Sequence, residues 1–115
     1  MFIPKQLTPQ LSVSEQISGS DIPDLVKGGF KSIICNRPDG EGWLQPRFAD
    51  IEAAAAKAGL KAAYQPVVSG SITEVDATRF KTLLNTLPGP VLAYCRSGAR
   101  CTMLSNMAQQ SKGSA

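Results

Sequence analysis

The stretch VLAYCRSGARCT, Val91 to Thr102, decides how this chain folds. An apolar run ends at Cys95, and two arginines, a serine, a glycine and an alanine follow it. A continuous apolar segment bounded by Pro90 and a Gly turn reads as a buried strand. From Cys101 onward, Met103, Leu104, Met107 and Ala108 recur at helical spacing, which marks the two methionines as core. Strand, Gly-containing turn and helix together form an arrangement that binds anions. The loop N–H groups point inward as a nest, and the helix start adds partial positive charge.

Cys95 sits where the strand ends, beside Arg96 and Arg100. Fixed positive charge and a helix N-terminus lower a thiol pKa from about 8.5 into the range of about 3.5–7.5, giving a thiolate at neutral pH. Gly98 lets the backbone curl around a bound group, and Arg100 can grip an oxyanion with two donors. A purely structural cysteine has no use for such neighbours. The expected anion cradle is therefore Arg96, Ser97, Gly98, Ala99 and Arg100 around the Cys95 sulfur.

Outward from this loop, helices and strands alternate. QLTPQLSVSEQIS suggests one or two short strands. Ser20 and Asp21 start a short helix with Pro23 in its first turn and Ile22, Leu25 and Val26 on its apolar side. FKSIIC, residues 30–35, is a β-branched strand followed by the loop NRPDGEG. Residues 46–58 form a helix with Phe48, Ile51, Ala55 and Ala58 on one side, and LKAAYQPVV is a further strand. Thr73 and Asp76 make a capping box before the amphipathic run Phe80, Leu83, Leu84, Leu87. The expected fold is a three-layer α/β domain spanning 1–115, a mostly parallel sheet flanked by helices. The tail QQSKGSA is expected to fray.

Composition narrows the chemistry. The sequence holds three cysteines without a CxxC pair and no histidine. A disulfide framework is not indicated, and His-based catalysis and most zinc catalysis are removed. No metal or organic cofactor is implied. A net charge of +3 without a basic, aromatic-laced window does not point to nucleic acid. No leader pattern or eighteen-residue apolar run is present, so a cytoplasmic domain with no membrane contact is expected.

Cys95-x-x-Gly98 followed by arginine resembles the signature loop of tyrosine and dual-specificity phosphatases. Those place the arginine six positions after the cysteine, whereas here Arg100 is five on. The shorter spacing is similar to the active loop of rhodanese sulfurtransferases. Across the whole chain, SVSEQIS, CNRPDGE, QPVVSGSIT and GPVLAYCRSGAR, in that order, resemble the phosphatase-like domain of the beta-lactamase hydrolase-like family, also described as candidate sulfur transferases. The resemblance implies a dual-specificity-phosphatase-like fold. Loops at the carboxyl ends of its strands share one edge, which makes Arg37, Asp39 and Glu41 secondary site candidates. A solvated Pro-Asp-Gly turn is the alternative for them.

Two chemistries fit such a loop, and both take a small anionic substrate. A phosphatase needs a proton donor for the leaving oxygen. The corresponding segment, Val67 to Thr73, has no carboxylate; Glu74 and Asp76 after it read as first-turn helix residues, and Asp39 of the neighbouring loop is an irregular substitute. Cys101 replaces the usual hydroxyl residue after the arginine, and Tyr94 replaces the family's frequent histidine. Sulfur transfer through a Cys95 persulfide, from thiosulfate or another persulfide, needs no such acid and is the favoured expectation. Phosphate-ester hydrolysis is the alternative, and a non-catalytic anion-binding module the third. Cys101 is read as a small packing residue or a resolving thiol for Cys95. Similar domains occur fused to a metallo-hydrolase domain that handles persulfides, which suggests a sulfur-relay partner of that kind.

Overall fold

The computed structural model describes residues 3–110. Along the chain run β1 (Lys5–Thr8), β2 (Leu11–Ser14), a 3-10 turn (Gly19–Asp21), α1 (Ile22–Lys27), β3 (Ser32–Cys35), α2 (Phe48–Lys57), β4 (Lys61–Tyr64), α3 (Glu74–Thr86), β5 (Val91–Tyr94) and α4 (Ala99–Gln110). The strands form one sheet in the order β1-β2-β5-β3-β4. All neighbours are parallel except the edge pair β1–β2, which is antiparallel.

Alternation along the two central strands divides the core into two layers. Ile33 and Cys35 of β3 and Leu92 and Tyr94 of β5 pack with Ile22 and Leu25 of α1 and with Phe48, Ile51 and Ala55 of α2. Their neighbours Ile34, Val91, Ala93 and Cys95 pack on the opposite side with Phe80 of α3 and Cys101 and Leu104 of α4. Both strands are buried along their whole length, as expected for strands covered on both faces. The three-layer α/β architecture is the one observed.

Local sequence explains the helix limits. Thr73 and Asp76 form the capping box of α3, with Thr73 N–H donating to Asp76 Oδ2 at 3.0 Å and Asp76 N–H to Thr73 Oγ1 at 3.3 Å. Pro23 lies in the first turn of α1, where its missing N–H costs nothing. Gly59 follows α2 with φ +84°, a conformation that ends a helix cheaply only with glycine. Three expected core positions face water instead, among them Ala58 just past the end of α2. Val26 is 46% exposed and Met103 50% exposed, because α1 and α4 each bury a narrower stripe than their apolar residues span. The tail expected to fray lies, from residue 111 on, outside the described residues.

Register places the site. Ser14, Cys35 and Tyr94 stand side by side, and Tyr64 pairs with Cys35, so β2, β5, β3 and β4 all end at one edge. The segments that follow these strands therefore converge there.

Candidate active site

The segment from Cys95 to Arg100 wraps a single sulfur. Gly98 N–H donates to Cys95 Sγ at 3.0 Å. Gly98 has φ +94°, and a Cβ at this position would lie 3.4 Å from the Ser14 backbone. The positive φ is what favours glycine here, since a Cβ would make only an ordinary contact with β2. Cys95 N–H reaches Ser14 O at 3.4 Å, Gln16 N–H reaches Arg96 O at 3.3 Å, and Thr102 N–H closes on Gly98 O at 3.0 Å as α4 begins.

The surroundings bring the Cys95 thiol down to about 5. Its hydrogen bond with the Cys101 side chain is the largest cause, and the N–H groups of Cys101, Arg100 and Ser97 help against the cost of burial. Cys95 is a thiolate at neutral pH. Cys101, buried beside it, is pushed well above its usual value by desolvation, so it stays protonated and donates. Cys35, raised by burial, also stays a thiol, and its S–H donates to Arg37 O at 3.2 Å. It belongs to the core, as its apolar strand suggested.

Arg100 is buried at the loop's end, with its guanidinium held from one side. Nη1 donates to Glu41 Oε2 at 2.8 Å and to Val67 O at 2.9 Å, and Nη2 donates to Glu41 Oε1 at 2.7 Å. Arg37 Nε donates to the same Oε1 at 3.0 Å. The hydrogen bonds from Arg100 and Arg37 hold Glu41 down at about 2. Arg37 and Glu41 thus join the Cys95 loop, as shared strand ends predict. Glu41 is not an anion-binding group; it grips the arginine.

Asp39 caps the helix that follows its loop. Its Oδ1 accepts the Phe48 N–H at 2.8 Å, which satisfies an open donor at the start of α2, and its own N–H donates to Tyr64 Oη at 2.9 Å. The Tyr64 ring stacks on Phe48 with centroids 4.9 Å apart. Asp39 is held beside α2 as a cap. Arg96, Ser97 and Ala99 face solvent around the loop, with Ala99 N–H donating to Ser97 Oγ at 3.3 Å. Tyr94 points to the α1–α2 layer, away from the face that carries Cys95.

Beside the loop, Ser97, Gly98 and Ala99 share a cavity of about 330 Å³ with Lys5, Ser14 and Glu15. Among the described residues, no three His, Cys, Asp or Glu side chains gather to hold a metal ion, and no helix is long and apolar enough to cross a membrane. Sequence reading missed Gln16, which accepts from Arg37 Nη1 at 3.0 Å, and the Val67 carbonyl on Arg100. Both partners are distant in sequence, and a carbonyl carries no residue-type signal.

The chain belongs to the family described as beta-lactamase hydrolase-like protein, phosphatase-like domain, whose model matches residues 4–112. It is 39% identical over 98 residues to a beta-lactamase hydrolase-like protein of Xylella fastidiosa, covering 85% of this chain and 23% of that protein. The chain thus spans less than a quarter of that relative's length. Among solved structures, a candidate phosphatase of Neisseria meningitidis superposes with TM-score 0.84 at 40% identity, over 87% of this chain and 71% of that one. P. aeruginosa TpbA in complex with phosphotyrosine shares the fold, with TM-score 0.68 at 15% identity over 88% of this chain and 58% of its own. The dual-specificity-phosphatase-like fold is the one present.

Proposed function

We propose that this family member is a cysteine-dependent hydrolase of the phosphatase type, with Cys95 as nucleophile and Arg100 as oxyanion clamp. One observation carries the reading: a thiolate with a pKa of about 5 sits at the start of α4 inside a ring of N–H donors. The Cys95 sulfur attacks the phosphorus of a small phosphate ester, and the ester oxygen leaves with its bonding electrons. Water then adds to phosphorus, the S–P bond breaks, and inorganic phosphate and the thiolate return. Loop N–H groups and the outward side of Arg100 stabilise the oxygens as charge develops on them. The 330 Å³ cavity beside Ser97 and Ala99 offers room for the rest of the substrate.

A second reading, sulfur transfer, has one specific observation in its favour. Two carboxylates of the segment after β3 are committed, Glu41 to two arginines and Asp39 to the start of α2. Neither is a ready proton donor. A sulfane sulfur needs none: the thiolate attacks the outer sulfur of thiosulfate, sulfite departs with the electron pair, and a Cys95 persulfide remains. A thiol acceptor then takes that sulfur. A persulfide-handling metallo-hydrolase as relay partner belongs to this reading.

Aryl phosphates with a graded series of leaving groups test the first reading, followed by intact mass after thiosulfate, each with Cys95→Ser as control. Hydrolysis that vanishes in the variant and falls steeply as the leaving group becomes more basic establishes a phosphatase working without a general acid. No hydrolysis, but one cyanide-labile sulfur on Cys95, replaces it with sulfur transfer. Neither outcome with a free thiol leaves an anion-binding module.

A further inference from the structure

We propose that Arg37 is a positioning residue for the anion clamp, acting on Arg100 through Glu41. The inference rests on the reading that Arg100 holds the substrate anion. Glu41 lies on an irregular loop, and its side chain is 30% exposed. Alone, a carboxylate on such a loop has rotamers enough to wander from Arg100. Arg37 removes that freedom. Its Nε donates to Glu41 Oε1 at 3.0 Å, the oxygen that Arg100 Nη2 also uses. Its Nη1 is tethered to Gln16 Oε1 at 3.0 Å, just beyond β2.

The result is a chain of side chains, Gln16–Arg37–Glu41–Arg100, that crosses the carboxyl edge of the sheet and ends at the loop. Arg37 itself is nearly buried, with its side chain 9% exposed, and its Nε and Nη1 are engaged within this chain. Glycine at 42 keeps the space for it, since a Cβ there would stand 2.6 Å from Arg37 Nη2. The loop is braced from within as well: Gly42 N–H donates to Gln45 Oε1, and Gln45 Nε2 donates to Pro38 O, both at 2.9 Å. Bonds to Glu41 and Val67 use both Nη1 hydrogens and one of Nη2, leaving Nε–H and the second Nη2 N–H for an oxyanion. A group one step removed from the bound ion thus sets how well that ion is held.

The test is a double-variant cycle on the full chain, with inorganic phosphate as probe and calorimetric Kd as readout. Arg37→Met and Glu41→Gln should each weaken binding about 10-fold, the lower end of what losing an outer partner of a bound ion costs. The two together should be no worse than Glu41→Gln alone, because Arg37 acts only through that carboxylate. Arg37→Lys should recover little, since one ammonium cannot span both Glu41 and Gln16 in the arginine's fork geometry. Gly42→Ala guards against a folding artefact. It crowds Arg37 while keeping every charged group, and should weaken phosphate in the same direction with a native melting profile. Losses that multiply in the double variant, or an unchanged Kd in Arg37→Met, overturn the positioning role alone. A parent protein that binds no phosphate overturns the clamp reading, and this inference with it.

Discussion

Gly98 places its backbone N–H 3.0 Å from Cys95 Sγ, so the turn that only glycine makes cheaply is also what solvates the thiolate. Gly98→Ala would force an L residue to φ +94° with its Cβ against Ser14. The expected cost is about 1–3 kcal/mol of stability, together with a Cys95 pKa raised by the displaced donor. Thermal unfolding and the pH profile of iodoacetamide alkylation read the two effects separately. An unaltered profile would show that the N–H does not tune the sulfur.

The thiolate is the form that alkylates, so its rate follows ionisation. With Cys95 at about 5, the rate should rise through pH 5 and be flat above about pH 7. Below pH 5 it should fall tenfold per unit. A midpoint near an ordinary thiol value of about 8.5 would contradict the described loop.

Cys101 donates the bond that lowers Cys95 most. Cys101→Ser keeps a donor of similar reach and should leave the alkylation midpoint low. Cys101→Ala removes it, and the midpoint should move upward toward the ordinary thiol value of about 8.5. Equal midpoints in the two variants would assign the lowering to the backbone N–H groups instead.

Asp39 offers a clean separation of structure from chemistry. Asp39→Ala removes the acceptor for Phe48 N–H at the start of α2, which should cost about 1 kcal/mol on the scale of helix caps. Asp39→Asn keeps an acceptor oxygen and loses only the acid. It should hydrolyse aryl phosphates at close to the parent rate; a large drop in kcat would restore Asp39 as a proton donor.

Most of the architecture was legible because its signals are local. Apolar runs such as Ile33–Cys35 and Val91–Tyr94, the Thr73–Asp76 box, and the Gly and Pro residues between them each act within a few positions. The Cys95 loop is legible for the same reason. The grip on Arg100 is not, since Glu41 stands 59 residues away and a loop carboxylate looks alike whether it caps, clamps or faces water. Asp39 shows this directly: two positions from Glu41, it does a different task. Met103 was misread because apolar spacing gives the phase of a helix, while the width of its buried stripe is set by what packs against it.

Trp43 is the only tryptophan in the sequence, and it stands 92% exposed two residues after Glu41. Ordinary globular proteins report their melting through a tryptophan that leaves the interior. Here the indole is already in water, so its emission should be red-shifted and nearly blind to global unfolding. The same indole rides on the segment that clamps Arg100. The chain thus carries an optical reporter of its own anion loop, with acrylamide quenching as its readout and no label required.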